Sequence, residues 1–70
     1  MAGELSQMVA RCVSALPARQ REVIVLSAYE GLDAGDIAEV LSMSVDNVYA
    51  TLSVARGKLR RQLGTYLAEK

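Results

Sequence analysis

The sequence predicts an all-α fold, and three observations lead to this prediction. Apolar residues in the C-terminal half recur at steps of three and four, at Val48, Leu52, Ala55, Leu59 and Leu63. This spacing is the periodicity of an amphipathic helix. Hydrophobic residues fill 51% of the 70 positions, but Trp and Phe are absent, which favours an aliphatic core between helices. The chain also has one proline, and its glycines lie mainly at predicted helix ends.

The first two predicted helices cover residues 4–15 and 17–29. In the first helix the apolar stripe consists of Leu5, Met8, Val9, Cys12 and Leu16. Pro17 fits the first position of the second helix, where its missing N–H leaves no hydrogen bond unmade. In that helix we expect four buried residues, Val23, Ile24, Leu26 and Tyr29. Gly31 is the expected C′ residue, because glycine readily adopts the left-handed conformation that ends many helices.

The last two predicted helices cover residues 34–41 and 45–63, and both begin with a capping signal. Asp33 and Ser44 carry side-chain oxygens that can accept hydrogen bonds from free N–H groups of the first turn. The helix dipole favours negative charge in the first turn. Each helix has a carboxylate there, at Asp36 and Asp46. Gly64 is expected to begin the frayed end of the last helix, because glycine disfavours helix. Tyr66 and Leu67 could nevertheless extend the apolar stripe of this helix.

The last two helices are joined by a tight turn at residues 42–44, and each has one apolar face. On the third helix this face consists of Ile37, Ala38 and Leu41. Such a pair of helices is typical of a helix-turn-helix, whose second helix, the recognition helix, usually enters the major groove of DNA. We therefore predict a compact four-helix domain with a long C-terminal recognition helix, and gene regulation is the leading functional hypothesis.

The charges are segregated along the chain, although the net charge is zero. No basic residue occurs between Arg21 and Arg56. The same stretch contains the acidic residues Glu22, Glu30, Asp33, Asp36, Glu39 and Asp46. Basic residues then follow closely, at Arg56, Lys58, Arg60 and Arg61. We expect a basic patch on the C-terminal half of the recognition helix. The negative end of the helix dipole stabilises cations there, so part of this run needs no functional explanation.

The composition excludes several kinds of site. With no histidine and a single cysteine, Cys12, the chain can form neither a zinc finger nor an internal disulfide. We expect a cytoplasmic protein, with Cys12 in the core rather than acting as a redox sensor. The apolar runs are too short to span a membrane. Without a histidine, a metal cluster or a phosphate-binding glycine loop, we expect neither enzymatic activity nor a cofactor.

Five short segments resemble one known family in sequence and in order. They are residues 16–24 (LPARQREVI), 30–32 (EGL), 36–41 (DIAEVL), 44–48 (SVDNV) and 55–60 (ARGKLR). They resemble region 4 of bacterial RNA polymerase sigma factors, and the last two are similar to that region in the extracytoplasmic-function group. The resemblance covers about residues 14–63, which is most of the chain.

This resemblance implies a four-helix domain that recognises the −35 promoter element while docking on core RNA polymerase, typically on the flap of its β subunit. It further implies transcription initiation by an alternative sigma factor, with an anti-sigma factor as another partner. A complete sigma factor also needs a region that melts the −10 element. We therefore expect residues 1–70 to be a single region-4-like domain from a longer chain. We expect this domain to be a monomer.

Candidate base-reading residues lie near the start of the recognition helix. Asn47 can donate to and accept from adenine, Thr51 can offer a hydroxyl or a methyl group to thymine, and Ala50 can pack on the thymine methyl. Asp46 can accept a hydrogen bond from the cytosine amino group. Stabilisation by the helix dipole explains the presence of an aspartate in the first turn equally well. Tyr49 can contact a phosphate or stack against a sugar.

A second set of residues is predicted to contact the DNA backbone. One stripe of the recognition helix contains Tyr49, Ser53, Arg56 and Arg60. Phosphate contacts that fix the register on the duplex are expected from Arg56, Lys58 and Arg60. Arg19 and Arg21 would add phosphate contacts from the second helix. Ser44 and the free N–H groups at the start of the recognition helix would hold one more phosphate.

The recognition helix differs in charge from the family it resembles. Sigma factors of this group usually carry basic residues at the positions of Tyr49, Thr51 and Val54, whereas residues 45–55 here contain no cation and one anion, Asp46. The loss of about three phosphate contacts would weaken DNA binding and lower its salt dependence by about three units. Two alternatives therefore stay open. One is a sigma-like protein-interaction module that binds an anti-sigma factor with little or no DNA binding, and the other is a response-regulator-type helix-turn-helix activator domain.

Overall fold

The computed structural model describes residues 3–68, with the side chains of residues 6–64. Its helices are α1 (Glu4–Ser14), α2 (Ala18–Ile24), α3 (Ala34–Leu41) and α4 (Val45–Ala68). A π-helical segment, Val25–Tyr29, continues α2 without a break. Residues 3–68 contain no strand, so the predicted all-α fold is confirmed.

The core lies between α4 and the other three helices, each of which packs against α4. It consists of Val13, Leu16, Val23, Ile24, Ile37, Ala38, Val48, Leu52 and Ala55. Cys12 is also buried, as predicted. Among the described side chains no polar or charged residue is buried as a whole, although one polar atom, Gln20 Oε1, is buried. The burial of aliphatic surface therefore supplies the main driving force for folding.

The helix ends differ from the prediction at three places. α1 ends at Ser14, one residue early. Pro17 lies one position before α2, with an extended ψ of 150°, and its carbonyl oxygen accepts the N–H of Arg21 at 2.9 Å. α4 continues past Gly64 to Ala68, because one glycine costs only about 1 kcal/mol in a helix that is already formed. The side chains of Leu5, part of the predicted α1 stripe, and of Tyr66 and Leu67 lie outside the described residues.

The prediction that Tyr29 is buried is wrong, since its side chain is 59% exposed. After Ile24 the helix widens, and the N–H of Glu30 donates to the carbonyl of Val25, five residues earlier, at 3.1 Å. Because a π turn holds more residues than an α turn, an apolar stripe extrapolated at α-helical spacing no longer faces the core. Gly31 ends the segment with a φ of 72°, as expected for a C′ glycine.

The turn between α3 and α4 closes without a glycine. Ser42 adopts the left-handed conformation, with φ 55° and ψ 46°. This conformation lets the N–H of Met43 donate to the carbonyl of Ala38 at 2.9 Å. The chain therefore changes direction within three residues between α3 and α4, as in a helix-turn-helix.

Both predicted N-caps are confirmed. The N–H of Asp36 donates to Asp33 Oδ1 at 2.9 Å, and the N–H of Asn47 donates to Ser44 Oγ at 3.1 Å. Each cap satisfies a backbone donor that would otherwise lack a partner in the helix, and such a cap is worth about 1 kcal/mol. The caps therefore fix the residues at which α3 and α4 begin.

Candidate nucleic-acid interface

One long face of α4 is open to solvent, because Val48, Leu52 and Ala55 on its opposite face are buried in the core. Of the predicted DNA contacts, Thr51 and Lys58 are half-buried. The others are exposed, namely Ser44, Asp46, Asn47, Tyr49, Ala50, Ser53, Arg56, Arg60, Arg19 and Arg21.

The predicted contacts on α4 occupy two flanks of this face. At 3.6 residues per turn, an arc of about 60° contains Tyr49, Ser53, Arg56 and Arg60. Asn47 and Thr51 lie about 160° to 200° from Tyr49, on the other flank. Asp46 and Ala50 lie between the two flanks. The helix therefore presents Asn47 and Tyr49 at opposite edges of one exposed face rather than on one line.

The start of α2 borders this face and forms a notch with α4. The notch is lined by Pro17, Arg19, Gln20, Ala50, Thr51 and Val54, and its volume is about 250 Å³. Gln20 and Val54 were not among the predicted contacts. Their placement beside Ala50 and Thr51 depends on the packing of α2 against α4, which no local sequence pattern indicates.

Arg19 and Arg21 lie on different surfaces, because residues two apart on a helix do not face the same side. The guanidinium of Arg21 donates to the carbonyl oxygens of Ser14 and Leu16, both at 3.4 Å. Arg21 also lines a separate groove of about 340 Å³, with Glu22, Val25, Leu26, Val40 and Leu41. The structure therefore brings Arg19, but not Arg21, to the notch beside α4.

The exposed face of α4 has no cation at its centre, where Asp46 adds a negative charge, and its cations lie at the margins. No cation occurs within residues 45–55. Arg19 stands beside the notch, with Nη1 at 3.6 Å from Glu22 Oε1 and with both side chains about half exposed. Such an exposed ion pair contributes little, so Arg19 can exchange Glu22 for a phosphate at small cost. Arg56 and Arg60 are exposed farther along the helix.

The start of α4 combines two opposing effects on an approaching phosphate. Ser44 Oγ accepts the N–H of Asn47, but the hydroxyl hydrogen of Ser44 can still donate to another acceptor. The positive end of the helix dipole also attracts a phosphate. Asp46 is exposed in the same turn, and its negative charge repels a phosphate. The attraction at this point is therefore weaker than at a helix start without a carboxylate.

Within the described part of the chain, no group of three or more His, Cys, Asp or Glu residues is placed to hold a metal ion. None of the helices in that part combines the length and the apolar character needed to cross a membrane.

A known protein family matches most of this chain. The sequence matches the family described as Sigma-70, region 4, over residues 6–59, which include all of α2 and α3 and the notch. No curated protein and no solved structure gives a significant match. Region 4 is a DNA-binding helix-turn-helix domain, not an enzyme class, and it interacts with RNA polymerase. The chain therefore belongs to the sigma-70 region 4 family, whose domains serve promoter recognition in transcription.

Proposed function

We propose that this domain recognises the −35 element of promoters as part of an alternative sigma factor of the extracytoplasmic-function group. The proposal places α4 in the major groove, with Asn47, Ala50 and Thr51 towards the base edges. One observation carries it. These side chains lie on the open face of α4, between Arg19 on one side and Arg56 farther along the helix.

The spacing of the cations supports this docking mode. At 1.5 Å per residue, Arg56 and Arg60 lie about 9 Å and 15 Å along the helix axis from Ala50. The major groove of B-DNA is about 12 Å wide. A helix that inserts Ala50 into the groove therefore carries Arg56 and Arg60 to the groove edge, where phosphates lie. These contacts would position the domain, and the start of the helix would select the sequence.

A different surface suits the contact with RNA polymerase. The groove between α2 and α3 is largely apolar, with walls formed by Val25, Leu26, Val40 and Leu41. Val40 is 60% exposed there. Because this groove shares no lining residue with the notch, DNA and a polymerase segment could bind together. We assign it to the flap of the β subunit.

The proposed setting follows from this role. The domain would work in the cytoplasm, as a monomeric part of a longer sigma chain that also carries the region acting on the −10 element. The match to the sigma family over residues 6–59 favours this setting over a response-regulator activator.

A second candidate function is binding of an anti-sigma factor with little or no DNA binding. The observation that favours it is the apolar character of the exposed helix start. Val45, Tyr49 and Val54 are 43%, 60% and 49% exposed, and no cation lies between them. Exposed apolar groups of this kind are common at protein–protein contacts.

The experiment that tests DNA recognition is a fluorescence anisotropy titration of labelled duplexes of random sequence at several salt concentrations. Phosphate contacts alone should give measurable binding at low salt. Arg56→Ala should weaken binding and reduce the slope of log K against log salt by about 0.9 units, the value for one phosphate contact. Arg11→Ala is the matched control, because Arg11 is exposed on α1.

Two outcomes would contradict the proposal. If Arg11→Ala lowered the slope as much as Arg56→Ala, net charge rather than the face of α4 would account for the binding. If the unmodified chain bound no duplex at low salt, the protein-interaction function would be the better account.

A further inference from the structure

We propose that the notch between α2 and α4 receives the C5 methyl group of a thymine, so that this domain selects A·T pairs by apolar contact. The notch is lined by Pro17, Arg19, Gln20, Ala50, Thr51 and Val54. This inference rests on the proposed DNA binding. It goes further by placing the thymine methyl, which the sequence assigned to Ala50 and Thr51 alone, in a notch that adds the start of α2 to the reading surface.

The walls of the notch are formed largely by carbon atoms. Ala50 and Val54 lie one turn apart on α4, and Thr51 between them also carries a methyl group. Pro17, which directly precedes α2, also lines the notch. Val54 is 49% exposed, so apolar surface of the notch is in contact with water in the free domain. Covering this surface with another apolar group is favourable.

The charge distribution points to DNA as the source of that apolar group. Thymine alone among the four bases of DNA presents a methyl group in the major groove. Arg19 lines the notch, and its guanidinium forms an exposed ion pair with Glu22 at 3.6 Å. It can therefore bind a phosphate near a thymine that enters the notch. The apolar walls of the notch thus complement the methyl group of a thymine, and Arg19 beside them complements a nearby phosphate.

This mode of reading also fits the absence of cations from the start of the recognition helix. Residues 45–55 contain no cation that could bind guanine through two hydrogen bonds. Selection by methyl contact requires no charge at those positions. The domain should accordingly prefer thymine-containing sites over otherwise identical sites that lack the methyl groups.

The test compares a short duplex of alternating deoxyadenosine and deoxythymidine with the same duplex containing deoxyuridine instead of thymidine. Both carry the same phosphates and hydrogen-bonding groups, and they differ in the methyl groups. Binding of the full 70-residue chain is measured by anisotropy at low salt. The thymine duplex should bind about four-fold more tightly, which corresponds to about 0.8 kcal/mol for one buried methyl-sized group.

Two matched variants locate the effect. Val54→Ser removes apolar wall from the notch and should bring the thymine-to-uracil affinity ratio close to one. Val40→Ser changes a valine of similar exposure, 60% against 49%, in the separate groove of α2 and α3, and should keep the four-fold ratio.

The outcomes separate this inference from the proposed function. Equal affinity of the unmodified chain for both duplexes would overturn methyl reading and leave DNA binding intact. A four-fold ratio that survives Val54→Ser would also overturn it, since the methyl would then be sensed outside the notch. If neither duplex bound at low salt, DNA recognition itself would be refuted, and the methyl contact with it.

Discussion

Replacing Ser42 by glycine should stabilise the domain, although most substitutions in a small protein destabilise it. Ser42 has φ 55° and ψ 46°, which places its Cβ close to the following carbonyl oxygen. That conformation costs an ordinary L-residue about 1–2 kcal/mol. Glycine avoids this cost but loses about 0.5–1 kcal/mol through the greater freedom of the unfolded chain. The net gain in the free energy of unfolding should be about 0.5–1 kcal/mol.

Urea unfolding followed by circular dichroism measures this change, and thermal unfolding should show a rise in Tm of about 2–8 °C. The control is Ser53→Gly, because Ser53 is exposed in the middle of α4, where glycine should lower stability relative to serine by about 0.3–0.5 kcal/mol. The reasoning predicts opposite signs for the same substitution at two exposed serines. Destabilisation by both variants would refute the account of the left-handed turn.

Three further predictions concern the core, a buried acceptor and base reading. Ile37→Ala should lower the free energy of unfolding by about 2–5 kcal/mol in urea titrations, because Ile37 is 0% exposed. Gln20→Leu should raise it by about 1 kcal/mol, since Gln20 Oε1 is buried without a hydrogen-bond partner among the described residues. Gln62→Leu, at an exposed position, should change it little. Asn47→Ala should alter the ratio of affinities for a selected and a scrambled duplex in anisotropy assays, whereas Arg56→Ala should weaken both equally.

The elements that local chemistry determines were predicted correctly from the sequence. The bounds of α3 and both N-caps depend on neighbouring residues, such as Asp33 with Asp36, and so could be inferred without a structure. The burial of Val48, Leu52 and Ala55 followed from spacing alone. These features suffice to place a helix-turn-helix in the C-terminal half of the chain.

Other features depend on geometry that sequence spacing does not record. The π-helical turn changes the number of residues per turn after Ile24, and this change leaves Tyr29 exposed. The notch combines residues 17–20 with residues 50–54, and its existence depends on how α2 packs against α4. For the same reason the sequence could not show that Arg19 and Arg21 lie on different surfaces.

The central claim, that the open face of α4 and the adjoining start of α2 bind DNA, is tested most directly by an amide chemical-shift titration. The full chain is titrated at low salt with short duplex DNA of pooled random sequence. The account predicts shifts at Arg19 and Gln20 and across residues 44–60, with little change in α1. Shifts confined to α1 or to the groove around Val40, or no response at all, would contradict it.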